Sequence, residues 1–252
     1  MLILLPPSEA KATRQRGRTL NLQTLSHSSL TACRSLVMAR AAAISGRPDA
    51  PQVLKVSPAL RAEIARNTAL HTCATMAAAQ LYSGVLYEAL DLDSLDAASR
   101  RRATSRILIT SAMFGLVRLG DRIPPYRLSM GVNLPGIGPL SRFWREPLSE
   151  ALAGSPRRGL IVDTRSSTYA AAWSPTPGSA QATRWVHVTV PGATHMAKRI
   201  RGLVARELLR TGADPESPAE LPDLLADRFE VALRPPTSSR APWVLTASER
   251  AT

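Results

Sequence analysis

Met1-Leu2-Ile3-Leu4-Leu5-Pro6-Pro7-Ser8-Glu9-Ala10-Lys11 opens the chain, and its first five residues decide the fold. A run this short has no basic residues ahead of it and falls far below membrane-spanning length, so it reads as a strand and neither a signal peptide nor a membrane span. Its continuous apolarity suits a strand buried on both faces of a sheet. Similar runs recur at Arg106–Thr110, Leu160–Asp163 and Arg184–Val190, with helical patterns between them. The last alternates as Trp185, Val186, His187, Val188 and is expected to be half exposed. Phe229–Leu233 reads as an edge strand, with Trp243–Thr246 as its hairpin partner. The class is therefore α/β, a mixed central sheet with surrounding helices, and one domain over residues 1–252 is the default.

Helical spacing marks Ser29–Ile44 through Leu30, Cys33, Leu36, Val37 and Ala41. Ser57-Pro58 signals an N-cap with proline in the first turn, opening a helix that runs to about Cys73. Shorter helices are expected at Asp96–Ser105, Trp144–Ala153 and His195–Arg210, while Pro175–Gly178, Ala213–Pro222 and Pro235–Ser239 read as loops. The 20 prolines argue against a long helical bundle, and with only 4% aromatics the core must be filled by Leu, Val, Ile and Ala.

Lys and Arg number 32 against 19 Asp and Glu, a formal +13. That field attracts phosphate-rich partners or anionic membrane surfaces, and charge alone does not choose between them. Lys11, Lys55 and Lys198 are the only lysines, so a compact, titratable ammonium is either wanted at those places or is ordinary surface. Cys33 and Cys73, both placed in helices, have no CxxC or His at metal-ligand spacing and read as buried free thiols. With no stretch of membrane length, the expected location is the cytoplasm, and a monomer is the default.

The first strand empties into a stiff loop holding Ser8, Glu9 and Lys11. The second empties into Ser111-Ala112-Met113-Phe114-Gly115, the third into Asp163-Thr164-Arg165-Ser166, and the fourth into Thr194-His195-Met196-Ala197-Lys198. If these strands are parallel, the loops converge on one edge of the sheet, where an anion finds backbone N–H groups and helix N-termini. Ser8, Glu9, Lys11, Asp163, Ser166, His195 and Lys198 are then the candidates for chemistry. Glu9, Asp163 or His195 would act as acid or base, and Lys11 or Lys198 as cation or nucleophile. Taken singly, each loop also reads as a solvated turn.

Candidate ligand contacts come from Tyr82-Ser83-Gly84 and from Tyr126-Arg127, whose guanidinium could fork onto a phosphate or carboxylate; the tyrosines equally suit a core boundary. Leu134-Pro135-Gly136-Ile137-Gly138-Pro139 resembles the hairpin of a helix-hairpin-helix element, with Gly136 and Gly138 offering N–H groups to a phosphate, or else is a glycine-rich surface turn. Arg165 and Arg201 complete the phosphate-binding set. The histidines His27, His71, His187 and His195 lack the spacing that holds a transition metal.

Together these segments resemble the YaaA family of peroxide-stress-associated bacterial proteins. The resemblance is carried in order by Leu2–Lys11, Tyr82-Ser83-Gly84 with Tyr87, Ser111–Leu116, Pro125–Gly131, Phe143-Trp144, Asp163–Tyr169 and His195–Gly202. It implies an elongated α/β fold with a positively charged cleft, DNA binding, a role under hydrogen peroxide, and no cofactor. Two functions stand as expectations: from the charge and the resemblance, a protein that contacts DNA phosphates without base specificity; from the varied chemistry of Ser8, Glu9, Lys11, Asp163, Ser166, His195 and Lys198, an enzyme acting on a nucleotide, nucleobase or other small anionic substrate.

Overall fold

In the computed structural model, which describes residues 1–156, 158–192 and 194–250 and only the backbone of Thr194, Leu2–Leu5 forms β1. It lies near the middle of a seven-stranded sheet. On one side it pairs in parallel with β2 (Ile107–Ser111), Ile3 opposite Ile107. On the other it pairs in parallel with β4 (Ile161–Asp163), Leu4 opposite Asp163. β3 (Gly115–Val117) folds back antiparallel on β2. β5 (Trp185–Thr189) adds in parallel to β4. β6 (Phe229–Arg234) and β7 (Trp243–Glu249) form an antiparallel pair that joins β5 through β7, again in parallel.

The order is β6-β7-β5-β4-β1-β2-β3. Every residue of β1, β2 and β4 is buried, as continuous apolar runs require when helices cover both faces of a sheet. β5 alternates only partly, His187 and Thr189 being half-buried. The chain leaves β1 towards β2 on one side, and leaves β4 towards β5 on the other. A crevice therefore opens at the carboxyl ends of two adjacent strands whose connections diverge, the usual ligand position in open α/β sheets.

The main helices are α1 (Thr31–Ser45), α2 (Val85–Leu90), α3 (Ala97–Arg106), α4 (Arg145–Ala151), α5 (Thr194–Arg210) and α6 (Leu221–Leu225). α3 starts where Asp96 accepts from the N–H groups of Ala98 and Ser99, a side-chain N-cap. α5, at 17 residues, is long rather than short, and it buries Ile200, Leu203, Val204, Leu208 and Leu209. Gly202 lets it approach α2 closely: a Cβ there would lie 2.2 Å from the Leu86 carbonyl oxygen.

Three expectations need correction. Ser57 does cap, accepting from Ala59 N at 3.4 Å, but no continuous helix reaches Cys73. One α-helical turn at Arg61–Ala65 sits between 3-10 turns, because Asn67 turns inwards, fully buried, to bond backbone of another segment. Cys73 consequently lies in a bend, and both thiols are half-buried rather than buried. The 213–222 connection is not all irregular: Ser217 and Glu220 form a capping box that leads into α6.

Candidate functional site

The loop after β1 is stapled to the segment before α2. Ser8 Oγ accepts from Ser83 N at 3.1 Å and donates to the Ala10 carbonyl. Tyr87 donates to the Pro6 carbonyl at 2.7 Å, and Ala12 N donates to Leu81 O at 2.9 Å. Lys11 bridges Tyr82 through the backbone, which brings Ser8, Lys11, Tyr82 and Ser83 together from distant stretches of sequence.

Lys11 Nζ donates to the Ser8 carbonyl at 2.8 Å and lies 4.2 Å from the centre of the Tyr126 ring. Burial brings its pKa down to about 8; Glu9 and Glu63 resist the fall and Arg127 adds to it. Beneath it the Tyr126 hydroxyl is shared between Tyr82 at 2.9 Å and Ser111 at 2.8 Å. Burial pushes the Tyr82 hydroxyl up to about 12 and that of Tyr126 well above its ordinary value, so both are neutral donors. Ser111-Ala112-Met113-Phe114-Gly115, expected as an accessible loop, is a fully buried turn into β3.

Arg127 is engaged on both sides, with Glu9 Oε2 at 2.9 Å and Glu63 Oε2 at 3.3 Å. Asn67 fixes its backbone, accepting from Arg127 N at 2.9 Å and donating to Arg127 O at 2.8 Å. Neither Glu63 nor Asn67 stood out in the sequence, since no motif marks a residue whose job is to hold another.

Asp163 and Arg165 form a closed pair. The guanidinium grips both carboxylate oxygens, at 2.8 and 2.6 Å, and also donates to the Trp173 carbonyl at 2.8 Å. Trp185 Nε1 donates to Asp163 at 3.2 Å. Both charges are buried. Burial alone would raise the Asp163 pKa, but the charge and hydrogen bonds of Arg165, aided by His187, hold it below its ordinary value. His187, opposite Asp163 in the register, is pushed down by burial despite that carboxylate and is neutral at pH 7. It was passed over in the sequence in favour of His195, which is exposed.

A cavity of about 320 Å³ opens beyond the ends of β1 and β4, at the diverging crevice. Pro6–Ala10 from the first loop, Ser166 and Tyr169 from the second, Ser83–Tyr87, and Lys198 and Arg201 of α5 line it. Lys198 is exposed and has no ion-pair partner among the described residues. Arg201 donates to the Val188 carbonyl at 3.2 Å; burial lowers its pKa, with Asp163 opposing the fall. A second hollow of about 230 Å³ shares Glu9 and Ala10 with the first and is lined by Lys11, Glu63, Arg66 and Tyr126. Of the predicted residues, Ser8, Glu9, Ser83, Ser166, Lys198 and Arg201 thus meet at one cavity. Lys11, Tyr126 and Arg127 flank it, Tyr82 underlies it, and Asp163, Arg165 and His195 are not on its wall.

Gly136 and Gly138 lie in a small two-stranded hairpin, Asn133–Leu134 against Gly138–Pro139. Both have positive φ, 83° and 92°, a conformation glycine adopts without strain. Arg40 lies against Gly136. The segment entering the hairpin meets the turn after β4, where Gly131 lies against the Thr168 methyl, and Lys55 Nζ donates to the Gly131 carbonyl at 3.2 Å.

A parallel-cored α/β sheet with a ligand-sized cavity at its diverging strand ends, lined by Lys198 and Arg201, which have no ion-pair partner among the described residues, defines an α/β protein with a strand-end cavity. Among the described residues, no His, Cys, Asp or Glu side chains gather in threes as they would around a metal ion, and no helix is long and apolar enough to cross a membrane. The chain belongs to the family described as Peroxide stress protein YaaA, whose model matches residues 1–233. It is 45% identical to a UPF0246 protein of Streptomyces coelicolor over 97% of each chain. It is 40% identical to a UPF0246 protein of Corynebacterium efficiens over 89% of this chain and 91% of that one.

Proposed function

We propose that this member of the peroxide stress family binds DNA through its phosphates, along a strip running from Lys198 and Arg201 over the cavity rim to the glycine hairpin. The observation that supports the reading is the closeness of Gly131 to the Thr168 methyl, which sets the segment before the hairpin beside the turn that carries the cavity residues Ser166 and Tyr169. Exposed cations flank the strip: Lys198 at one end, Lys55 in the middle, and Arg40, Arg142 and Arg145 around the hairpin. The formal +13 supplies the attractive field.

The aromatic residues favour backbone contact over base stacking. All four tyrosines are buried, at 2–8% exposure, so none offers a ring face to an unpaired base. Binding is then insensitive to sequence and steeply sensitive to salt. With about four or five phosphates neutralised, affinity falls roughly 10² to 10³-fold between about 50 and 200 mM salt. Fluorescence anisotropy of a labelled duplex across that range tests it, and affinity that is absent at low salt or unchanged by salt refutes it.

One feature favours a second reading, a small anionic substrate. The cavity is of small-ligand size and is lined by Ser166, Lys198, Arg201 and Glu9. Calorimetric titration with nucleoside monophosphates separates the two, since saturable stoichiometric binding of a free nucleotide is expected only of the second.

A further inference from the structure

The second hollow carries chemistry that the DNA strip does not use. Lys11 sits on its wall with its Nζ held by carbonyl oxygens and facing the Tyr126 ring at 4.2 Å. No carboxylate oxygen lies within ion-pair distance of it among the described residues. Lysines seated in this way, desolvated and without a counter-ion, are the ones that serve as nucleophiles. The same hollow holds Arg66 and Glu63: among the described residues the Arg66 guanidinium has no hydrogen bond or ion pair, and the Glu63 carboxylate is tied to Arg127 alone, at 3.3 Å.

An amine nucleophile beside an unengaged guanidinium selects a ligand with an electrophilic carbonyl next to a carboxylate. The volume of about 230 Å³ limits it to a few carbons beyond the carboxylate. We infer that the hollow is a site for a small 2-oxo acid, its carboxylate on Arg66 and its carbonyl carbon attacked by Lys11 to form an imine. In the step, the Lys11 lone pair forms the C–N bond as the carbonyl π pair moves to oxygen, which takes one proton from nitrogen and becomes a hydroxyl. The nitrogen lone pair then expels that hydroxyl, which takes the second proton from nitrogen and departs as water, leaving the imine. Glu63 lines the same wall and can carry the proton from nitrogen to the leaving oxygen.

The charges around Lys11 set when it can act. Desolvation brings its pKa down to about 8, with Glu9 and Glu63 holding it up and Arg127 holding it down; Tyr82 and Tyr126, the other titratable groups against it, stay neutral. About half of the amine is free base at that pH, where an ordinary lysine is almost wholly protonated. The hollow has none of the cavity's cations, so the inference stands or falls apart from DNA or nucleotide binding.

The test is reductive trapping on the full chain with pyruvate and sodium cyanoborohydride, using acetone as the uncharged ketone, followed by peptide mapping. The expected result is one adduct, on Lys11, with a rate that rises to a midpoint near pH 8. Arg66→Gln should cut pyruvate labelling by about tenfold, the loss of one charge-assisted hydrogen bond, and leave acetone labelling unchanged. Label spread over Lys55, Lys198 and the N-terminal amine without preference for Lys11 would overturn the inference. So would equal loss of pyruvate and acetone labelling in Arg66→Gln. Mapping of the unaltered protein decides the first point even if a Lys11→Arg control fails to fold.

Discussion

Gly202→Ala sets two physical effects of opposite sign against each other. In an exposed helix the change would stabilise by about 1 kcal/mol, because alanine is the better helix former. At Gly202 the new Cβ would lie 2.2 Å from the Leu86 carbonyl oxygen and 2.9 Å from Ala89 Cβ, whereas ordinary carbon contacts are about 3.5–4.0 Å. Neither neighbour can swing away, since one is backbone and the other is the first atom of its side chain. Relief requires α2 and α5 to separate by about 1 Å, an overpacking strain at or above the usual ~1–3 kcal/mol. The net loss is about 2 kcal/mol, which for a chain of this length lowers Tm by about 4–8 °C. α2 and α5 also carry the Leu86, Tyr87, Lys198 and Arg201 walls of the cavity, so ligand affinity should fall with stability. Gly120→Ala is the control, with no atom within 4 Å of the added carbon, and should be neutral or stabilising by up to ~1 kcal/mol. Thermal melting by circular dichroism reads both variants, and a Gly202→Ala protein as stable as the parent would refute the packing argument.

Asp163→Asn leaves the buried Arg165 without its counter-charge and should cost about 3–5 kcal/mol by chemical denaturation. Because the folded Asp163 pKa lies below its ordinary 3.8, the carboxylate contributes fully above that pH. Its contribution is lost as pH falls through the lower folded value, so part of the acid destabilisation should vanish in this variant. Tyr126→Phe strips the hydroxyl shared by Tyr82 and Ser111 and should cost about 1–3 kcal/mol; the Tyr82→Phe/Tyr126→Phe double variant should lose less than the two single losses added, read from the same denaturation curves. Gly136→Ala, at φ 83° and with Arg40 Cζ 3.1 Å from the new Cβ, should weaken DNA binding in anisotropy titrations while leaving the salt slope unchanged, since it removes no charge.

Much of the sheet was legible because its strands announce themselves: continuous apolar runs at Leu2–Leu5 and Ile107–Ser111 admit few other readings, and their parallel pairing brought the following loops to one edge. β3 was not legible, since Gly115–Val117 is short and its reversal depends on a buried turn packed beneath Trp144. The Ser217–Glu220 capping box was visible as Ser-Pro-Ala-Glu and could have been read. At the site, loop composition pointed to Ser8, Glu9, Ser166 and Lys198, but composition cannot show whether a charge faces solvent or a partner. Asp163 and Arg165, two residues apart, close on each other and leave the wall to Arg201. Arg66 and Glu63 were hidden because they sit on a broken helix whose placement depends on Asn67, a contact across 60 positions.

Salt dependence of DNA affinity in two single variants tests the central claim most directly. Lys198 stands at the carboxyl ends of the parallel strands, on the cavity wall, whereas Arg240 lies in the exposed turn between β6 and β7 at the opposite edge of the sheet. Both substitutions remove one positive charge, so a diffuse field would treat them alike. A phosphate contact at the strip predicts that Lys198→Gln weakens binding and makes the log–log salt slope shallower by about 0.9, while Arg240→Gln leaves the slope where it was. Equal effects of the two substitutions, or a slope indifferent to Lys198, would contradict the account.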